Sequence, residues 1–215
     1  GVDVGRVLGS WQADELKRAP ITGQIGFKTM LGGAYFANLT YKEIEKPQLN
    51  ITNNSVQNSQ KGMLINWKVS APFNNLEIED IYNLKKHKTY KNTTWTSLAT
   101  ESDGKLNLAK AAKKTKDNNT VFVKTIVTSK KKQIKQLNFG YSDEVTVYVN
   151  NKIVYSGHNK FRSRDYRYLG TMGYFDTIYL DLKKGKNEII FAVSENMGGW
   201  GLKAKLINKK VVFKR

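Results

Sequence analysis

Hydrophobic and polar positions alternate with period 2 through residues 137–202, in four runs that each close on a turn signal. Val145, Val147 and Val149 alternate with Glu144, Thr146 and Tyr148. Asn150-Asn151 then turns the chain, and Ile153, Val154 and Tyr155 open a return strand, which predicts a β-hairpin. Ile178, Leu180 and Leu182 share one face, Lys183-Lys184-Gly185-Lys186 makes a turn, and Ile189, Phe191 and Val193 share the next. Such runs are antiparallel strands with one buried face each.

The remainder reads as what packs against this sheet. Residues 63–70 form a strand stopped by Ala71-Pro72-Phe73, and residues 76–90 mix apolar and charged positions as a loop with a short helix or strand would. A short strand is expected over 95–98, a strand end or helical turn over 104–112, a clear strand over 120–129, and a last strand or two over 203–213. That makes eight to ten strands after a polar, Asn- and Gln-rich linker at 47–62. The expected fold class is all-β, an antiparallel two-sheet sandwich or jelly roll over 63–215. Residues 1–46 add two or three strands with a Gly32-Gly33 hairpin, too few to bury a core alone.

Composition narrows the function classes. With 40% hydrophobic and 25% charged residues, the 215-residue chain has the makings of an ordinary core. No run approaches the roughly 18 apolar residues of a membrane span. The absence of cysteine excludes disulfides, thiolate metal sites and cysteine nucleophiles, and two histidines leave little for a multi-histidine metal site. Thirty-six basic against 18 acidic side chains give a formal charge of +18, a field that attracts polyanions. Nucleic acid binding would rest on that charge alone. The densest knot, Lys130-Lys131-Lys132 with Lys135, falls where a solvated loop is expected.

Several motifs together resemble the galactose-binding-domain-like jelly rolls appended to secreted bacterial glycan-active proteins. They are Ile65-Asn66-Trp67-Lys68-Val69-Ser70 with Pro72-Phe73, Gly140-Tyr141-Ser142-Asp143 before Val147-Tyr148-Val149-Asn150, Ser163-Arg164-Asp165-Tyr166, the Leu-x-Leu-x-x-Gly-x-Asn-Glu run at 180–188, and Gly198-Gly199-Trp200-Gly201. Gly-x-Ile-Gly-Phe at 23–27 and Ala34-Tyr35-Phe36-Ala37-Asn38-Leu39 resemble the closing strands of a concanavalin A-like or laminin G-like sandwich, of which 1–46 would be an incomplete part. The resemblance implies a non-catalytic, carbohydrate-linked role in an exported bacterial protein, at the cell surface, in the periplasm or secreted. It transfers no ligand.

Residues 159–173 carry the most chemistry. Arg162, Arg164 and Arg167 stand among Phe161, Tyr166 and Tyr168, and His158 precedes them. Aromatic faces suit sugar C–H groups, and arginine forks suit carboxylate or sulfate. The same residues serve equally as an Arg164–Asp165 pair that holds the loop while the tyrosines cover the sheet. Trp200, set between glycines, is either a stacking platform or a plug at the end of the sandwich. Glu101, Asp103, Asp143 and Glu195 are the acidic candidates for a structural calcium, although no Asp-x-Asp-x-Asp spacing links them. No cofactor is expected. Nothing nominates a catalytic carboxylate pair, a nucleophile elbow or a phosphate-cradling glycine loop. The expectation is a carbohydrate-binding or accessory module whose charge favours acidic polysaccharide, with Arg162, Arg164, Tyr166, Tyr168, Trp200 and His158 at the ligand. The alternative is a spacer or docking sandwich with no ligand of its own.

Overall fold

The structure is a computed structural model that describes residues 61–78, 82–160, 163, 172–196 and 198–207. The chain divides into two units, Gly1–Asn54 and Ser55–Arg215, and every described residue belongs to the second. The expected N-terminal strands at 1–46 and nearly all of the linker at 47–62 lie outside the described residues. So do Arg162, Arg164, Tyr166, Tyr168 and the tail beyond Ile207.

Ten strands are described: β1 (Asn66–Ser70), β2 (Trp95–Ala99), β3 (Lys105–Asn107), β4 (Thr120–Ser129), β5 (Gln133–Tyr141), β6 (Glu144–Val149), β7 (Lys152–His158), β8 (Asp176–Leu182), β9 (Gly185–Ser194) and β10 (Gly201–Ile207). They form a six-stranded sheet, β2-β1-β4-β9-β6-β7, and a four-stranded sheet, β3-β10-β5-β8. Every described pairing is antiparallel. This is an all-β sandwich. The Asn150-Asn151 turn joins β6 to β7 with both residues at positive φ, 50° and 76°, as a tight hairpin turn demands. Gly185 takes φ 92° at the turn into β9, where a side chain would be strained.

The inward positions are those the period predicts. Trp67, Val69, Val121, Val123, Val145, Val147, Ile189, Phe191 and Val193 from the larger sheet meet Leu137, Phe139, Leu180, Leu182, Leu202 and Ala204 from the smaller. Phe139 and Phe191 cross the gap edge to face, with centroids 5.6 Å apart. Each such fully buried side chain contributes about 1.5–3 kcal/mol.

The larger sheet is also covered on its outer face, by the excursion between β1 and β2. It holds two 3-10 turns, Asn75–Ile78 and Leu84–Lys86, and one helical turn, α1 (Lys88–Asn92). Phe73, Leu84, Phe122, Tyr148, Ile190 and Ala192 form a second buried cluster beneath it. Its near end is pinned where Phe73 and Thr120 exchange backbone hydrogen bonds of 2.9 and 3.0 Å. At the far end the Asn151 side chain donates to Asn83 Oδ1 and accepts from the Lys85 amide, and Lys85 pairs with Glu188 at 3.0 Å. On the return leg the Lys124 ammonium sits 3.5 Å from the centre of the Trp95 ring.

Candidate functional site

The outer face of the larger sheet can be laid out from its register. One row runs Thr120, Ser194, Glu144 and His158 across β4, β9, β6 and β7. The next runs Phe122, Ala192, Thr146 and Ser156, and the third Lys124, Ile190, Tyr148 and Ile153. In the middle row Ala192 sits between Phe122 and Thr146, so the surface dips there. The segment carrying Asn75, Leu76, Ile78 and Tyr82 borders this dip and completes a cleft of about 360 Å³.

Its lining is mixed. Among the described lining residues Thr146, Ser156 and Ser194 contribute hydroxyls, Leu76, Ile153 and Tyr82 contribute apolar surface, and Glu144 contributes a carboxylate. Leu76 and Tyr82 are 67% and 73% exposed. Tyr148 belongs to the lining yet is 0% exposed. Its hydroxyl has no hydrogen-bond partner among the described residues, and burial raises its pKa to about 12. Such an orphaned buried hydroxyl is rare in a native fold and marks a place where a partner belongs. Glu144 is met at the rim by Lys160 at 2.6 Å and by the Asn196 amide at 3.2 Å.

His158, one of the expected ligand residues, is exposed beside Glu144 at this rim, paired with it across β6 and β7. Trp200 takes the second of its two expected roles. It is 5% exposed, belongs to the main core, and donates its indole N–H to the Val193 carbonyl at 3.1 Å, so its ring faces side chains and not solvent. The expected arginine and tyrosine positions of the loop lie outside the described residues.

The four acidic candidates do not gather. Glu101 pairs with Lys110 at 3.1 Å, and Asp103 lies 3.6 Å from Lys105 and 3.9 Å from Lys203. Asp143 accepts from the Asn196 amide at 2.6 Å. Glu195 is its electrostatic neighbour, 2% exposed, with both carboxylate oxygens lacking a hydrogen bond among the described residues. Burial first, and then the Asp143 charge, raise the Glu195 pKa to about 7, against opposing help from Ser142, Lys114 and the Asp143 amide. Among the described residues no three His, Cys, Asp or Glu side chains converge.

Sequence reasoning missed the cleft because Glu144, Thr146 and Tyr148 alternate as solvent-facing residues should. A signal was present in β9, where Ile189, Ile190, Phe191, Ala192 and Val193 are continuously apolar. A strand without alternation is buried on both faces, so something had to cover the outer side.

The molecule is thus an all-β protein, a two-sheet antiparallel sandwich with a covered outer face. No protein-family model matches the chain, and no curated protein matches it. Among solved structures it is similar to a β-glucosidase from Kluyveromyces marxianus, at 13% identity and TM-score 0.43, covering 69% of this chain and 17% of that one. It is also similar to a β-glucuronidase from Ruminococcus gnavus, at 17% identity and TM-score 0.37, covering 60% of this chain and 20% of that one. The chain spans a fifth or less of the length of these proteins. At such scores the likeness carries no argument, and the architecture rests on strand order and register.

Proposed function

We propose that this chain is a non-catalytic carbohydrate-binding or accessory module of an exported bacterial protein. The observation that carries the reading is the cleft over β6, β7 and β9, in which hydroxyl side chains lie beside exposed apolar and aromatic ones. Sugars need both, since their hydroxyls seek hydrogen-bond partners and their C–H faces seek apolar contact. A volume of about 360 Å³ falls at the small end of ligand sites. The motifs shared with galactose-binding-domain-like jelly rolls support the same reading.

The motif resemblance supports a non-catalytic role; among the described lining residues Glu144 is the carboxylate. Glycoside hydrolysis uses two, flanking the bond to be cut. A docking sandwich without its own ligand is the second reading, favoured by the exposed Leu76, Tyr82, Ile153 and Val154 near the edge strand β7.

Electrophoresis of the chain through gels cast with different polysaccharides, with reducing-sugar release measured in parallel, tests the proposal. Retardation in at least one gel without release of reducing sugar is expected. Unchanged mobility in every gel would leave the docking reading standing, and sugar release would overturn the non-catalytic assignment.

A further inference from the structure

We infer that the cleft takes an uncharged sugar unit, selected by hydroxyl side chains and by Tyr148, and that the chain's surplus of lysine plays no part in its specificity. This deepens the sugar-binding reading above and rests on it.

The argument starts from where the charge is not. A chain of formal charge +18 has lysine to spare, and a site for uronate or sulfate groups would be lined by it, because a buried anion needs a paired cation or several donors. The described lining holds no lysine and no arginine. Its charged member is a carboxylate, Glu144, which Lys160 and Asn196 already engage at the rim. An acidic sugar entering the cleft would give up its hydration beside that carboxylate and gain no cation among the described lining residues.

What the lining does hold suits an uncharged polyol. Thr146, Ser156 and Ser194 can each donate and accept, as sugar hydroxyls do. Thr146 and Ser156 face each other across β6 and β7 at 3.4 Å, a long contact that a ligand hydroxyl can replace without loss. Leu76, Ile153 and Tyr82 offer apolar surface to the ring. Tyr148 supplies the selective element. Its hydroxyl is buried and has no partner among the described residues, and it keeps its proton throughout the working pH range because burial raises its pKa to about 12. Buried polar groups left unpaired are what let a site reject a ligand lacking the matching hydroxyl.

The test is calorimetric titration of the full chain at about 0.15 M salt. The neutral probes are gluco-, galacto- and manno-oligosaccharides, and the acidic probes are oligogalacturonate and a sulfated chondroitin oligosaccharide. Two variants accompany the wild type. Ser156→Trp fills the cleft from an exposed position on the edge strand, and Tyr148→Phe removes one oxygen that no described residue engages. The expected result is binding of a neutral probe with little dependence on salt. Affinity should fall at least about 20-fold in Ser156→Trp and about 10-fold in Tyr148→Phe, with the melting temperature unchanged in Ser156→Trp and not lowered in Tyr148→Phe. Preference for an acidic probe with steep salt dependence would overturn the inference while leaving sugar binding intact, as would neutral binding that survives Ser156→Trp. Failure to bind any probe would overturn the sugar-binding reading itself.

Discussion

Replacing Glu195 with glutamine should stabilise the protein, and only on the alkaline side. Glu195 is 2% exposed, its carboxylate oxygens lack hydrogen bonds among the described residues, and Asp143 adds a like charge. Its pKa therefore rises from 4.5 to about 7. Because the folded state holds this proton up to about pH 7 while the unfolded chain releases it above 4.5, the folded state binds more protons in that window. Stability must then fall as pH rises through it and level off above it. At 1.36 kcal/mol per unit the loss approaches about 3 kcal/mol. Relaxation of the protein around the buried carboxylate brings it nearer to about 2 kcal/mol. Glutamine mimics the neutral acid at every pH, so Glu195→Gln should match the wild type near pH 4.5. At pH 8 it should exceed the wild type by about 2 kcal/mol, or roughly 4–8 °C in melting temperature. Urea denaturation at both pH values reads this directly. Equal destabilisation by the variant at pH 4.5 and pH 8 would refute the reasoning, because it would mean that the ionised carboxylate is engaged by a group the geometry does not include.

Other sites give independent checks. Trp200→Ala should cost about 3–5 kcal/mol in chemical denaturation, as expected for a buried indole whose N–H is satisfied, and should leave sugar affinity of the folded fraction unchanged. Gly140→Ala should destabilise by more than about 2 kcal/mol, since a Cβ there would stand 1.8 Å from the Gly173 carbonyl oxygen, a backbone atom that cannot step aside. Asn151→Gly should relieve the positive φ of the hairpin yet lose the two side-chain bonds to Asn83 and Lys85. A net loss of about 1 kcal/mol is expected, together with faster amide exchange over residues 83–92.

The architecture was legible where one face of a strand is wet. In β8 the alternation alone names the inward residues, and the Asn150-Asn151 pair names the turn after β6. Legibility ended where the excursion from Ala71 to Thr94 lays a second cover on the larger sheet. That excursion's described residues follow short turns with no apolar period and are held by particular contacts, such as Lys124 over Tyr90 and Asn151 on Asn83. The cleft is a product of that cover and of the small Ala192 side chain, a long-range pairing that no local spacing announces. Trp200 misleads for a related reason. Glycines on either side suggest an exposed loop, but the indole is buried in the main core and donates to the Val193 carbonyl.

Backbone amide shift mapping, with a neutral oligosaccharide titrated into isotope-labelled chain, tests the location of the site most directly. Saturable shifts centred on Thr146, Tyr148, Ser156 and Ala192 are predicted, with the smaller sheet silent. Shifts confined to residues 159–173, or spread over the lysines without saturation, would contradict the account.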